Sequence, residues 1–595
     1  MTAPADERTT DPSTELRAHV AGVCTVTVAA GTHVRAGAAV VVLESMKTEH
    51  PVEAPFDGIV DEVAVGPGDD VAAGAVVARL RAAGAGSESS TRADGPTGVD
   101  RPDLAEVLRR RALLTDASRP EAVARRAERG RRTARTNVED LLDPGSFSEY
   151  GGLAVAAQRG RRSMDELIER TQADGLLTGT GTIAGVPVAV LAYDASVLAG
   201  TQGFVNHRKT DRLLELVERH RLPLVLFAEG GGGRPGDVDA PFVSGLDVPS
   251  FARFARLSGV VPSVAVVAGY CFAGNAALVG CCDVIVATED SNLGMAGPAM
   301  IEGGGLGRVA PTEIGPIEVQ SANGTVDVRV ADEAAAVDVA RTLIGLSGAA
   351  AVPPVGGHDQ APLRDAVPVA RKRLYDVRAV LERIADPDTV VELRRGYAPG
   401  MVTALARIDG RAVGMIANDP SHLGGAIDTD AARSATRLVE LCDRWDLPVV
   451  SFCDTPGFMV GPDAEATGQV RAFGDMFVAA AGASVPWVMV VLRKAYGLGA
   501  QAMAGGGMHE PVLAVSWPTG EFGGMGLEGA VRLGFARELD AIADPDERAA
   551  REAELIERAY EHGSALNVAT YIEVDDVIDP IDTRRRILDA LTAVG

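Results

Sequence analysis

Hydrophobic and polar positions fall into distinct patterns along the chain. Between residues 15 and 81, Val, Ala and Gly alternate with polar residues without helical spacing, the pattern of short, half-buried strands. Residues 101–136 are Arg-rich and read as helical. Beyond them, helical and strand-like stretches take turns. Residues 178–193 predict a hairpin, 211–221 an amphipathic helix with leucines at helical spacing, and 222–227 and 260–268 short buried strands. Residues 485–492 and 497–503 predict a further strand followed by a helix. Strands alternating with helices imply α/β layering with helix-covered sheets. Residues 257–282 carry no charge, a length that could span a membrane. Their Pro, Ser, Asn and many small residues instead predict a buried strand and helix.

Two internal repeats sharpen this picture. Gly22 matches Gly58 at a spacing of 36, and Gly31, Val34, Gly37 and Leu43 match Gly68, Val71, Gly74 and Leu80 at 37. Two β units related by pseudo-symmetry predict a small flattened barrel or sandwich over residues 15–81. The segment 44–49 (Glu-Ser-Met-Lys-Thr-Glu) lies between the units, which places Lys47 on an exposed hairpin tip. The second repeat is longer. Residues 175–229 align with 400–454 at a constant offset of 225, without gaps and with 20 identities in 55 positions. Residues 101–350 and 351–595 are therefore expected to be homologous halves. Residues 1–14 read as a polar, disordered tail. Residues 82–100 read as a Gly/Ser/Ala-rich flexible linker with an r.m.s. span of roughly 25 Å.

Charge and composition exclude several function classes. The 595 residues carry a net charge of −25, from 57 basic and 82 acidic side chains, which argues against wholesale nucleic-acid binding. Only Lys47, Lys209, Lys372 and Lys494 are lysines, so each needs a reason. The six cysteines form no CxxC pair, which argues against a zinc ribbon or a disulfide scaffold. The N-terminus has no signal-peptide pattern, so a cytoplasmic location and no membrane attachment are expected. The run Gly230–Gly233 and the Asp454-Thr-Pro-Gly segment suggest nucleotide loops, but no GxxxxGK[ST] motif is present. There is also no GxSxG elbow.

The candidate chemistry sits at two strand-to-helix turns, residues 268–277 and 493–503. Small residues there leave the first helical amides open to an approaching oxyanion, and the helix dipole favours negative charge. Close helix–sheet packing would also require small residues. Lys47 has two readings as well: a solvated loop lysine, or a modified lysine carrying a prosthetic group.

Residues 15–81 resemble the biotinyl carrier domain of biotin-dependent carboxylases, in which the lysine of a Met-Lys pair at the hairpin tip accepts biotin. Lys47 is the matching lysine; Thr48 stands where relatives usually have a second Met. Lipoyl domains share the fold, but their lysine usually follows Asp. Residues from about 130 to 590 resemble the carboxyltransferase component of acyl-CoA carboxylases, a tandem of crotonase-like α/β halves. The matching stretches are 141–147, 230–237, 297–302, 375–378, 454–458 and 493–497.

The resemblance implies transfer of a carboxyl group from carboxybiotin on Lys47 to the α (or vinylogous) carbon of an acyl-CoA. The amides of Ala273 and Gly274 would hold the thioester enolate. Those of Leu498 and Gly499 would hold the biotin ureido oxygen. Gly297, Pro298 and Gln501 would line the acyl-CoA pocket, and no metal is implied. Implied partners are a separate biotin carboxylase subunit using ATP and bicarbonate, a biotin protein ligase, and further copies forming a homo-hexamer (a trimer of dimers). Alternatives are a transcarboxylase or decarboxylase using the same site, or an inactive scaffold carrying biotin. The loop at 497–500 and the segment 231–235 look more like the methylcrotonyl-type branch than the propionyl-type one. The Arg-rich stretch reads as a solvated or packing helix, with partner docking as the alternative.

Overall fold

The computed structural model describes residues 13–83, 101–241, 243–349, 353 and 356–594. Most of the expected tail at 1–14 and linker at 82–100 lies outside these residues. Thr14 and Ala82 themselves belong to strands. The chain divides into two compact units, Met1–Arg101 and Pro102–Gly595.

The first unit is a sandwich of two four-stranded sheets. One runs in the order Thr14–Arg17, Val76–Ala82, Gly58–Val63, His33–Val34; the other runs Thr48–Glu53, Ala39–Ser45, Gly22–Thr27, Asp70–Val71. The short middle strand of each repeat pairs with the other repeat, His33–Val34 with Gly58–Val63 and Asp70–Val71 with Gly22–Thr27. The two units therefore interlock around one core that includes Cys24, Val41, Leu43, Val60, Val77 and Leu80. The matched Gly22 and Gly58 have matched roles. A Cβ on either would lie 2.5 Å from the Glu44 carbonyl or 2.6 Å from the Arg81 carbonyl.

The second unit contains two eight-stranded mixed sheets, one per half. The first orders Val328–Val330, Val284–Thr288, Ser263–Phe272, Leu224–Gly231, Val186–Tyr193, Leu176–Ile183 and Ser148–Glu149, with Asn292–Gly294 beside Ser263–Phe272. The second orders Val391–Leu393, Met401–Ile408, Arg411–Asn418, Val449–Thr455, Trp487–Tyr496, Leu513–Ser516 and Asp576–Val577, with Glu521–Gly523 beside Trp487–Tyr496. The expected hairpin is present as Leu176–Ile183 with Val186–Tyr193. The charge-free stretch is a buried strand and the helix Gly274–Gly280. No helix among the described residues is long and apolar enough to cross a membrane.

The helix expected at 211–221 begins earlier, as Phe204–His220. Its first turns are polar yet inward-facing: Asn206, Lys209 and Thr210 are buried, so hydrophobic spacing missed them. Its counterpart Thr429–Trp445 keeps the 225 offset at both ends. The halves share a core. One cluster joins Val190, Val225 and Val264 to Ile416, Val449 and Met489, and the outer face of each sheet has its own cluster. Asp283 and Asp327 of the first half are held by the second: Arg444 and Trp445 bind Asp283 at 3.1 and 3.2 Å, and Arg394 binds Asp327 at 2.6 Å.

Candidate active site

Lys47 sits where the sequence placed it. Ser45 pairs with Thr48, so Met46 and Lys47 form a two-residue hairpin turn. Both are left-handed, with φ of 52° and 65°, as a type I′ turn demands. Such turns normally use Asn and Gly, so two long side chains here hold a strained conformation. Met46 is 97% exposed and Lys47 is exposed. A primary amine on a projecting tip, clear of the core, fits a covalently carried group.

In the first half, three turns converge where strands end. Leu198, Ala199 and Gly200 are all left-handed (φ 49°, 55° and 63°). Beside them lie Glu229–Gly232, and then Ala273 leading into the helix Gly274–Gly280. Asn275, fully buried, ties the set together: its Nδ2 donates to the carbonyls of Gly200 and Glu229, each at 3.2 Å. The helix start is tight, because a Cβ on Gly274 would stand 2.1 Å from Gln202 Oε1. The Gly274 amide donates to no described residue.

Ala273 differs from expectation. Its amide donates to the Gly294 carbonyl at 3.1 Å, because Ala273 continues the ladder between Ser263–Phe272 and Asn292–Gly294. It is therefore not an open donor. The Ala199 amide, which the sequence reading did not single out, is unpartnered among the described residues. Ala199 lines a cavity of about 550 Å³ with Gly230, Gly231, Phe272 and Pro298. The signal was present in the repeat, where Leu198-Ala-Gly matches Leu423-Gly-Gly. Pro298 lines this cavity too. Gly297 caps the helix Pro298–Gly303, and a Cβ there would sit 3.5 Å from the Phe272 ring.

Glu229 also lines this cavity. Burial raises its pKa, while Arg126 grips both carboxylate oxygens, at 3.2 and 2.7 Å.

The second half repeats the plan. Leu423, Gly424 and Gly425 are left-handed, and the helix Gly497–Met503 starts against Gly457. A Cβ on Gly499 would lie 2.7 Å from the Gly457 Cα, so two backbones touch there. The amides of Leu498 and Gly499 occupy the first helical turn and are unpartnered among the described residues. Leu498 is 61% exposed. Gly497, Ala500 and Gln501 line a second cavity of about 550 Å³ with Met508, Phe522 and Tyr571.

Asp454, the repeat partner of Glu229, is fully buried and carries more counter-charge. Lys494 Nζ lies 2.7 Å and Arg493 3.0 Å from its oxygens, and the Tyr375 hydroxyl donates at 2.9 Å. Burial pushes the Tyr375 hydroxyl well above its ordinary value. The rare lysines are thus largely explained. Lys494 neutralises Asp454. Lys209, buried and lowered by burial to about 8, donates to the carbonyls of Ala173 and Leu176. Lys372, by contrast, is solvated, 3.8 Å from Glu528.

Two family models and several known relatives match the chain. Residues 125–594 match the carboxyl transferase domain model, and residues 10–80 match the biotin-requiring enzyme model. The methylmalonyl-CoA carboxyltransferase 12S subunit of Propionibacterium freudenreichii is 34% identical over 82% of this chain and 93% of its own. The biotin-dependent long chain acyl-coenzyme A carboxylase beta4 subunit of Mycobacterium tuberculosis is 33% identical, over 81% and 92%. Among solved structures, a single-chain, multi-domain long-chain acyl-CoA carboxylase is 50% identical with a TM-score of 0.79. That match covers 98% of this chain but 57% of the other, so this chain spans little more than half of that relative. The transcarboxylase 12S structure, a hexamer with methylmalonyl-CoA bound, is 33% identical over 85% of this chain and 96% of its own, with a TM-score of 0.73. With a biotin-bearing sandwich at its N-terminus and paired α/β halves behind it, the chain belongs to the biotin-dependent carboxyltransferase family.

Proposed function

We propose that the two turns divide the labour of carboxyl transfer. The first half, through the amides of Gly274 and Ala199, holds the thioester oxygen of an acyl-CoA as negative charge develops on it. The second half, through the amides of Leu498 and Gly499, holds the ureido oxygen of biotin. The observation that carries this reading is the pairing itself. Unpartnered amides open each helix after a homologous strand, and a cavity of about 550 Å³ lies beside each.

Biotin on Lys47 would supply the carboxyl group and, after giving it up, the base for the α-carbon. The protein's share is electrostatic: fixed N–H donors, each worth about 10²–10³ in rate. Glu229 and Asp454 are both committed to ion pairs, which leaves them anchoring the turns rather than moving protons.

The similarity to long-chain acyl-CoA carboxylases, one of them 50% identical across nearly the whole chain, favours a longer acyl group over the methylcrotonyl type. Gln501 and Tyr571, which line the second cavity, would set that preference where another copy's first half meets this half. Like the hexameric 12S relative, the chain would bring one copy's first half against another's second half. A biotin protein ligase would load Lys47, and a biotin carboxylase, on another chain or covalently joined, would charge it.

The test runs the reaction backwards. Biotinylated protein is given malonyl-, methylmalonyl-, 3-methylglutaconyl- and long-chain 2-carboxyacyl-CoA, and loss of CO₂ is followed. Lys47→Arg with free biotin serves as the control. Turnover that is lost in Lys47→Arg and partly restored by free biotin is expected, with preference for the longer chain. No turnover of any thioester by fully biotinylated protein would overturn the assignment of both turns.

A further inference from the structure

One short strap reaches three points behind the second-half turn. Residues 371–375 have no regular structure and lead into the helix Val377–Ile384. At one end the Tyr375 hydroxyl donates to Asp454. In the middle the Arg373 carbonyl accepts from Arg493 at 2.8 Å, and the Arg493 guanidinium stands 5.1 Å from the centre of the Tyr375 ring. At the other end Arg371 donates to Glu521 at 2.7 Å and stacks on the Tyr560 ring at 3.9 Å, a geometry that favours a cation.

Glu521 carries this anchorage inward. It is buried, and its second carboxylate oxygen accepts from the Tyr496 hydroxyl at 3.0 Å. In the pairing of Glu521–Gly523 with Trp487–Tyr496, Tyr496 lies opposite Gly523. Glu521, two residues earlier, therefore shares its face. Burial, and then the Glu521 charge, raise the Tyr496 hydroxyl above its ordinary value, so it remains a donor.

Tyr496 is the N-cap of the helix Gly497–Met503. Gly497 is left-handed, with φ of 59°, and a Cβ there would stand 3.0 Å from the Gly524 carbonyl. The chain thus turns sharply just after the tethered ring, and the Leu498 and Gly499 amides are the next two. Leu498 is largely exposed, so its side chain does little to hold the turn. In the first half the N-cap position is Ala273, which has no hydroxyl to tether. We propose that Glu521 and Arg371 are positioning residues for the second-half turn: they fix Tyr496, and through it aim the Leu498 and Gly499 amides at the ureido oxygen of biotin. This rests on reading that turn as the biotin site. Donors to a developing oxyanion act by being fixed beforehand, and a shift of about 1 Å can cost about 10² in rate.

The Lys47→Arg protein with free biotin and the carboxyacyl-CoA it turns over fastest tests this. Tyr496→Phe removes the hydroxyl and keeps the ring. That change and Glu521→Gln should each lower kcat about tenfold, less than the 10²–10³ of losing a donor outright, with KM for the thioester within about twofold. The double variant should lose no more than either single one, because both cut the same chain of contacts. Arg371→Ala should match them, and Arg371→Lys should recover most of the rate. Hydrogen exchange needs no turnover: in Tyr496→Phe, peptides spanning 497–503 should exchange faster and those spanning 274–280 should not change. Unchanged kcat in both single variants, additive losses in the double one, or exchange at 497–503 that stays constant or rises equally at 274–280 overturns the proposal. Wild-type protein that turns over no thioester would sink the carboxyltransferase reading, and the exchange result would then decide by itself whether the tether holds the turn.

Discussion

Asp143 shows how a residue within a family-like motif can serve the backbone rather than the reaction. It accepts from the Thr182 hydroxyl at 2.7 Å and from the amides of Ala184 and Gly185 at 2.9 Å. Asp386 does the same for the matching hairpin, accepting from the amides of Asp409 and Gly410 at 2.8 Å. Both hairpin tips are left-handed pairs, so each needs its amides satisfied from outside. The Thr182 hydroxyl, then the Gly185 amide, hold the Asp143 carboxyl down at about 2. Its folded pKa lies below its unfolded value of about 4, so the unfolded chain binds more protons between these limits. The stabilisation is complete above about pH 4 and is lost as pH falls toward 2. Asp143→Asn should therefore lower the urea midpoint at pH 7, and its difference from wild type should shrink as pH drops from 4 to 2. A difference that stays constant across that range would exclude this role. At the reaction itself, Gly274→Ala places a Cβ against Gln202 and should cut transfer by about 10²–10³.

Among elements, the strand-to-helix turns were legible because the repeat displayed them twice. The constant offset located Gly274 and Gly499 with no structure in hand. It did not reveal hydrogen-bond partners. Ala273 looked open because its neighbours are small, yet it lies in register to donate to Gly294, a pairing between strands some twenty residues apart. Ala199 escaped notice because the match of Leu198-Ala-Gly to Leu423-Gly-Gly marks a shared turn without showing that all three residues are left-handed. Asn275 escaped because a lone Asn in an apolar helix carries no pattern. Its two bonds nonetheless join the Leu198–Gly200 and Glu229 turns to the helix that bears Gly274. Asn275→Ala would leave two carbonyls without that donor, at about 1–3 kcal/mol each. We expect a lowered Tm together with a kcat loss for acyl-CoA, while exchange at the biotin side, measured with a carboxyl acceptor that bypasses acyl-CoA, stays near wild type. Equal losses on both sides would mean that Asn275 supports the fold alone.

For the whole molecule, the two repeats differ in how separable they are. The carrier repeat closes its own core, and contacts divide the chain at Arg101 and Pro102. The carboxyltransferase repeat does not close by halves. Its shared cluster runs through both sheets, and Asp283 and Asp327 take their arginine partners from the other half. Splitting the halves would uncover Val190, Val225 and Val264, at about 1.5–3 kcal/mol for each side chain returned to water, and would strip Asp283 and Asp327 of their cross-half arginines. Against a typical total stability of about 5–15 kcal/mol, neither half can afford that loss. A fragment of residues 102–350 should therefore give no cooperative thermal transition, whereas 102–595 should unfold cooperatively near the full-length Tm. The longer fragment should also decarboxylate carboxyacyl-CoA when free biotin is added. It lacks only the tether, whose effective concentration is of the order of millimolar, so biotin at that level should restore much of the rate. A cooperative 102–350 fragment would refute the shared-core argument. A well-folded 102–595 fragment that free biotin cannot rescue would show that the carrier contributes more to the site than delivery of its biotin.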